Sequence, residues 1–119
     1  MDLNFRFSYK STFKQVIEES MKSINHGGLD YSFMNEDEYI GPNYFEKIFK
    51  DAIDYANEKG TCLYCGEYGV IEYVSPEDTR DWYIDINSVL NKYGIGHALW
   101  SYRGMDFDFV NSRYDGVRK

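Results

Sequence analysis

The chain is poor in the residue types that most often announce a site. Two cysteines among 119 residues are too few for a disulfide scaffold, and the only histidines, His26 and His97, are too scattered to complete a zinc cluster with Cys62 and Cys65, so no metal and no cofactor are expected. Positive charge is also scarce. Thirteen Lys plus Arg against twenty Asp plus Glu leave a net charge of −7, which repels phosphate backbones and anionic bilayers and argues against nucleic acid and membrane surfaces as partners. No apolar run approaches the ~20 residues that a membrane helix needs. Met1 to Arg6 lacks the basic and apolar regions of a secretory signal, so no export signal is expected in this chain and its compartment stays open.

What is present suits one small folded domain. A hydrophobic fraction of 43% rules out general disorder, and 119 residues can bury one core. Two Trp, twelve Tyr and eight Phe make 18% of the chain, more aromatic surface than core packing requires, so some rings are candidates to present flat faces to a ligand.

The apolar spacing predicts three helices and two strands. Ser11 caps a helix carrying Phe13, Val16, Ile17, Met21 and Ile24, which stops at His26-Gly27-Gly28. Leu29 to Ile40, acidic and without period, reads as a loop. Gly41-Pro42 opens a second helix with Phe45, Ile48, Phe49, Ala52, Tyr55 and Ala56 as its buried stripe, ending at Gly60. Thr61 to Val70 reads as a buried strand. Ser75-Pro-Glu-Asp78 then starts a third helix, with Trp82, Tyr83, Ile86, Val89, Leu90 and Tyr93 on one face and Gly94 after its end. Ile95 to Tyr102 is the second strand. Strand, helix and strand over this length form a parallel βαβ unit, so the fold class is α/β. Leu3 to Phe7 is a further candidate strand.

Alternation puts Leu63, Cys65 and Glu67 on one strand face and Gly96, Ala98 and Trp100 on one face of the other. Glu67 and Trp100 thereby stand at the carboxyl ends of two parallel strands, where α/β proteins bind ligands. Two readings stay open from pattern alone: both residues serve a ligand, or Glu67 caps the following turn while Trp100 fills core. His97 is expected to face the helix layer as a packing residue. Cys62 and Cys65 have the spacing of a redox pair, but both lie within a strand and point to opposite faces, so they are not expected to bridge.

Cys65-Gly-Glu-Tyr-Gly-Val70, Gly94-Ile-Gly-His-Ala-Leu-Trp-Ser-Tyr102 and Met105-Asp-Phe107 together resemble the last third of glycoside hydrolase family five, the cellulase-like enzymes. The likeness extends less sharply through Pro42 to Glu46 and Tyr114 to Arg118. It implies a partial TIM (β/α)8 barrel covering about strands seven and eight, with residues 1–119 a C-terminal fragment of a catalytic domain. It further implies retaining hydrolysis of O-glycosidic bonds in a β-linked polysaccharide or oligosaccharide, with Glu67 as nucleophile and Trp100 as the sugar-stacking platform; Asp106 of the last loop is either a contact to a sugar hydroxyl or, the more common case, an ordinary surface acid.

The family's acid/base glutamate belongs to an Asn-Glu-Pro motif ending an earlier strand. Asn35-Glu36 matches its first two residues, but Asp37 replaces the proline and no predicted strand holds Glu36, so the acid/base is expected to be missing from this chain. Asp108 stands where the family pattern has glycine, which alters the last active-site loop. A fragment of this kind is expected to be inactive by itself and to self-associate through uncovered strand edges and the inward face near Leu63, Cys65 and Ala98. The alternative functions are a carbohydrate-binding or interaction module derived from such a barrel, and a small redox domain using the cysteine pair.

Overall fold

The computed structural model describes residues 8–21, 35–103, 110 and 112–117. Its elements run α1 (Phe13–Met21), α2 (Pro42–Lys59), β1 (Tyr64–Tyr68), α3 (Pro76–Lys92), β2 (Gly96–Leu99) and a short 3-10 turn, η1 (Ser112–Tyr114). The expected strand at Leu3 to Phe7, and the end of the first helix at Ile24 to Gly28, lie outside the described residues.

Local chemistry sets the helix ends. Pro42 sits in the first turn of α2 and Gly60 closes it in the left-handed conformation at φ 63°, a geometry that costs glycine nothing. Ser75 accepts a hydrogen bond from the Asp78 amide at 3.1 Å to start α3, as its sequence predicts. The start of α1 differs from expectation. Thr12 is the cap: the Gln15 amide donates to Thr12 Oγ1 at 3.3 Å, and the Thr12 amide donates to Gln15 Oε1 at 2.9 Å. This is a reciprocal capping box. The Ser11 hydroxyl is spent on the Ser8 carbonyl at 2.6 Å.

The fold class is α/β. β1 and β2 pair in parallel, joined through α3, and α2 and α3 lie on one face of that pair. The core between the layers holds Phe45 and Ile53 of α2, Ile86, Val89 and Leu90 of α3, and Ile95 before β2. Val89 and Leu90 are each 1% exposed, and full burial of such side chains contributes roughly 1.5–3 kcal/mol apiece. Lys92 of α3 ties to Glu46 of α2 at 2.7 Å, a surface link worth at most about 1 kcal/mol.

Only part of the expected stripe on α2 is buried. Phe45 and Ala56 are inside, with Ile53 in place of its neighbours, whereas Ile48 and Tyr55 are 44% and 60% exposed and Ala52 is exposed. The helix is apolar over a wider arc than α3 and the strands cover.

A polar clasp anchors the N-terminal segment. Asp85 of α3 is 8% exposed and accepts the Tyr9 hydroxyl at 3.1 Å, with Lys10 Nζ at 3.8 Å. Burial first, then the Asp85 charge and hydrogen bond, push the Tyr9 phenol above its ordinary value of 10.0. The backbone of residues 36–38 closes the same region, with the Phe13 amide donating to the Glu38 carbonyl at 2.8 Å. Removing a hydrogen bond to a buried carboxylate costs about 1–3 kcal/mol, so Tyr9→Phe is expected to lower unfolding stability by that amount in urea titrations. Because the fold favours the neutral phenol, this stabilisation is complete below pH 10 and fades as the pH climbs above it. The Tyr9→Phe chain is therefore expected to lose less stability than the natural chain between pH 10 and 11.

Candidate functional site

The site rests on an irregularity in β1. Tyr64 pairs with Gly96 and Cys65 with His97, but Tyr68 pairs with Leu99, so three steps along β1 match two along β2. One extra residue is thus accommodated at Gly66 and Glu67, as in a β-bulge. Simple alternation, which put Leu63, Cys65 and Glu67 on one face, fails at this point. Leu63, Cys65 and Tyr68 all pack against the helix core, and Glu67 is exposed. The expected inward face near Leu63 and Cys65 is therefore corrected: both residues turn toward α2 and α3.

Tyr68 is fixed from several sides. Its hydroxyl donates to Asn87 Oδ1 of α3 at 2.7 Å, its ring stacks on Trp82 at 6.3 Å, and Tyr83 and His97 meet it edge-on at 6.0 and 5.6 Å. Burial holds the Tyr68 and Tyr83 phenols above their ordinary range. The Val70 amide donates to the Tyr83 hydroxyl at 3.3 Å, which pins the chain leaving β1. His97 lies in this packing with its Nδ1 2.9 Å from the Ile95 carbonyl, the structural role its place in the strand implies.

The Trp100 amide donates to the Tyr68 carbonyl at 2.8 Å. The end of β2 is thereby held against the residue that follows Glu67, and Trp100 keeps 40% of its surface exposed. Glu67 and Trp100 thus both stand at the carboxyl ends of neighbouring parallel strands, and both are exposed. Among the described residues no hydrogen bond or ion pair engages the Glu67 carboxylate. Tyr64, 69% exposed, lies across β2 so closely that a Cβ at Gly96 would come within 2.9 Å of its ring. Tyr73 and Tyr102, in the segments leaving β1 and β2, are 78% and 72% exposed. Sequence reading did not single out these three tyrosines, since among twelve their exposure has no local signature.

The other candidates fall elsewhere. Glu36 sits in a turn, its carbonyl accepting the Lys14 amide at 2.8 Å, and belongs to no strand. Asp106 and Asp108 lie outside the described residues. Cys62 and Cys65 are both free thiols, with Cys65 Sγ 3.6 Å from the Glu67 carbonyl, so the redox-pair reading loses its disulfide. Among the described residues no group of three or more His, Cys, Asp or Glu side chains could hold a metal ion, and no helix is long and apolar enough to cross a membrane.

No family model matches the chain. It is 41% identical over 97 residues to endoglucanase C of Acetivibrio thermocellus, a match covering 80% of this chain and 27% of that protein. It is 52% identical over 60 residues to cellodextrinase A of Ruminococcus flavefaciens, covering 50% of this chain and 18% of that one. Its structure resembles cellulose synthase subunit Z of Clostridioides difficile with a TM-score of 0.55 at 21% identity, over 71% of this chain and 27% of the other. A solved endoglucanase gives the same TM-score at 16% identity, with 71% and 26% covered. These last two are likenesses of fold. The chain spans about a quarter or less of the length of the proteins it matches.

The two tryptophans differ in setting, Trp82 within the aromatic cluster and Trp100 at the open strand ends. Iodide is expected to quench the emission of Trp100 much more than that of Trp82, and Trp100→Phe should remove most of the quenchable fraction. Equal quenching before and after that substitution would place Trp100 inside the packing.

Proposed function

We propose that this chain is the C-terminal part of a retaining glycoside hydrolase of the family-five type, belonging to a (β/α)8 barrel that cleaves a β-linked glucan. The observation that carries this reading is the exposed Glu67 at the end of a parallel strand, held beside the exposed Trp100 by the bond from the Trp100 amide to the Tyr68 carbonyl. The names of the relatives, endoglucanase and cellodextrinase, support the substrate class.

In this reading the Glu67 carboxylate attacks the anomeric carbon and forms a glycosyl-enzyme ester, while Trp100 stacks under the sugar next to the cleaved bond. Asp106 hydrogen-bonds a sugar hydroxyl. A second carboxyl, about 5 Å from the first, must protonate the leaving oxygen and then activate the water that hydrolyses the ester. Glu36 is unsuited to that task, because it sits in a turn and no strand positions it. The acid/base is assigned to the remainder of the domain, outside this chain.

The 119-residue chain alone is accordingly expected to release no sugar from a soluble β-glucan. A hybrid joining the N-terminal portion of endoglucanase C, up to the start of its match, to this chain is expected to be active. Glu67→Gln keeps the shape and removes the nucleophile, and should lower kcat in the hybrid by at least roughly three orders of magnitude. Trp100→Ala should weaken glucan binding about fivefold, as for an aromatic contact worth about 1 kcal/mol. Full activity in the Glu67→Gln hybrid would refute the assignment.

A second reading, a carbohydrate-binding module, is favoured by Trp100, Tyr73 and Tyr102 remaining exposed at these strand ends. Titrating the isolated chain with cello-oligosaccharides while following Trp100 fluorescence separates the two: saturable binding without turnover, even in the hybrid, belongs to the module.

A further inference from the structure

The connection between β1 and α3 carries a ring and a carboxylate that the proposed hydrolysis leaves without a task. Because β1 and β2 run parallel with α3 between them, the segment from the end of β1 at Tyr68 to the start of α3 at Pro76 lies on the carboxyl rim of the sheet, the rim that holds Glu67 and Trp100. Within it the Val74 amide donates to the Ile71 carbonyl at 3.2 Å, closing a tight turn with Glu72 and Tyr73 at its tip. Both ends of the turn are tied. The Val70 amide donates to the Tyr83 hydroxyl at 3.3 Å, and Ser75 caps α3 through the Asp78 amide at 3.1 Å. The main chain is thereby fixed, yet Tyr73 is 78% exposed and Glu72 is exposed beside it. Among the described residues no ring stacks on Tyr73, and no hydrogen bond or ion pair engages either side chain.

We propose that Tyr73 and Glu72 form an additional glucan subsite, remote from the cleaved bond, in which the tyrosine ring stacks on a glucosyl unit and the Glu72 carboxylate accepts hydrogen bonds from its hydroxyls. The proposal rests on the reading that the strand-end site binds a β-linked glucan, and it adds where a longer chain is held. A ring beside a carboxylate suits a ligand with apolar C–H faces and hydroxyl donors at its edges. The same pair suits an apolar protein neighbour poorly, since burying Glu72 without a partner is costly. The net charge of −7 does not oppose a neutral glucan, whereas it repels a phosphate-bearing ligand. Distance permits the arrangement. Tyr73 follows Glu67 by six residues, so their Cα atoms lie at most about 20 Å apart, within reach of one oligosaccharide of a few glucosyl units. The two anchors also keep the ordering cost low, because the main chain of the turn is set before any ligand arrives.

The test titrates the 119-residue chain with cellobiose and with cellohexaose, following its aromatic ring resonances by NMR. The natural chain should bind cellohexaose more tightly. Tyr73→Ala should weaken cellohexaose binding about fivefold, as for one lost aromatic contact, and leave binding of cellobiose, which is expected to occupy the Trp100 platform alone, unchanged. Glu72→Ala should weaken cellohexaose binding about threefold, and Tyr73→Phe, which keeps the ring, should bind both sugars as the natural chain does. All of these changes fall on exposed positions, so Tm should move by no more than about 3 °C. Cellohexaose bound no more tightly than cellobiose, an equal loss for both sugars in Tyr73→Ala, or no loss for either, would overturn the proposal. So would a larger fall in Tm, which would make Tyr73 a packing residue. Turnover is read separately in the hybrid with the N-terminal portion of endoglucanase C, where Tyr73→Ala should raise KM for cellohexaose at unchanged kcat and leave an aryl cellobioside unaffected. A hybrid without turnover, alongside the length-dependent loss in binding, defeats the glycosidase reading alone. An active hybrid whose KM for cellohexaose ignores Tyr73→Ala defeats the subsite alone.

Discussion

The parallel pairing of β1 with β2 accommodates one residue too many because Tyr68 is held from the helix side. Its hydroxyl on Asn87, its ring against Trp82, Tyr83 and His97 and its carbonyl under the Trp100 amide fix the strand immediately after the bulge. Without that anchorage the extra residue could slide toward either strand end, and a one-residue slip turns every side chain to the opposite face. With it, Glu67 is put out to the open face while Cys65 and Tyr68 both go in. The aromatic surplus noticed in the composition is partly spent here, on an exact strand register rather than on a ligand.

The same anchorage links folding to the site. α3 is the hub: its Val89 and Leu90 close the core with Phe45 and Ile53 of α2, its Asn87, Trp82 and Tyr83 hold the end of β1, and its Asp85 receives Tyr9 from the N-terminal segment. Glu67 and Trp100 can be exposed and still ordered because their backbones are tied to residues that are buried. The main chain behind both side chains is fixed, which sets where each leaves its strand.

Most of this architecture was legible where local chemistry decides. Pro42, Gly60, Ser75 and Gly94 punctuate α2 and α3 where the sequence places them, and the strand, helix and strand order gave the parallel pair. Alternation failed at Gly66 and Glu67, because a bulge depends on the pairing partner and leaves no mark on one strand alone. Thr12 displaced Ser11 as the α1 cap because the Ser8 carbonyl competes for the serine hydroxyl. The buried stripe on α2 was misread on its far side, since periodicity reports an apolar arc and cannot say how much of it a neighbour covers. Asp85, a buried acid, was invisible until Tyr9 was found beside it. Of the candidate site, Glu67 and Trp100 were identifiable from strand-end position, while the contribution of Tyr64, Tyr73 and Tyr102 depends on exposure that only the fold reveals.

The central claim is that the Glu67 carboxylate is the nucleophile in a covalent step, and trapping that step tests it most directly. The hybrid carrying this chain would be incubated with a 2-deoxy-2-fluoro-β-cellobioside bearing a good leaving group, which slows breakdown of a glycosyl-enzyme ester, and the digested protein mapped by mass spectrometry. The account predicts one fluorocellobiosyl group per chain, on the carboxylate of Glu67. A label on another carboxylate, or turnover of β-glucan with no trapped ester on this chain, would contradict it.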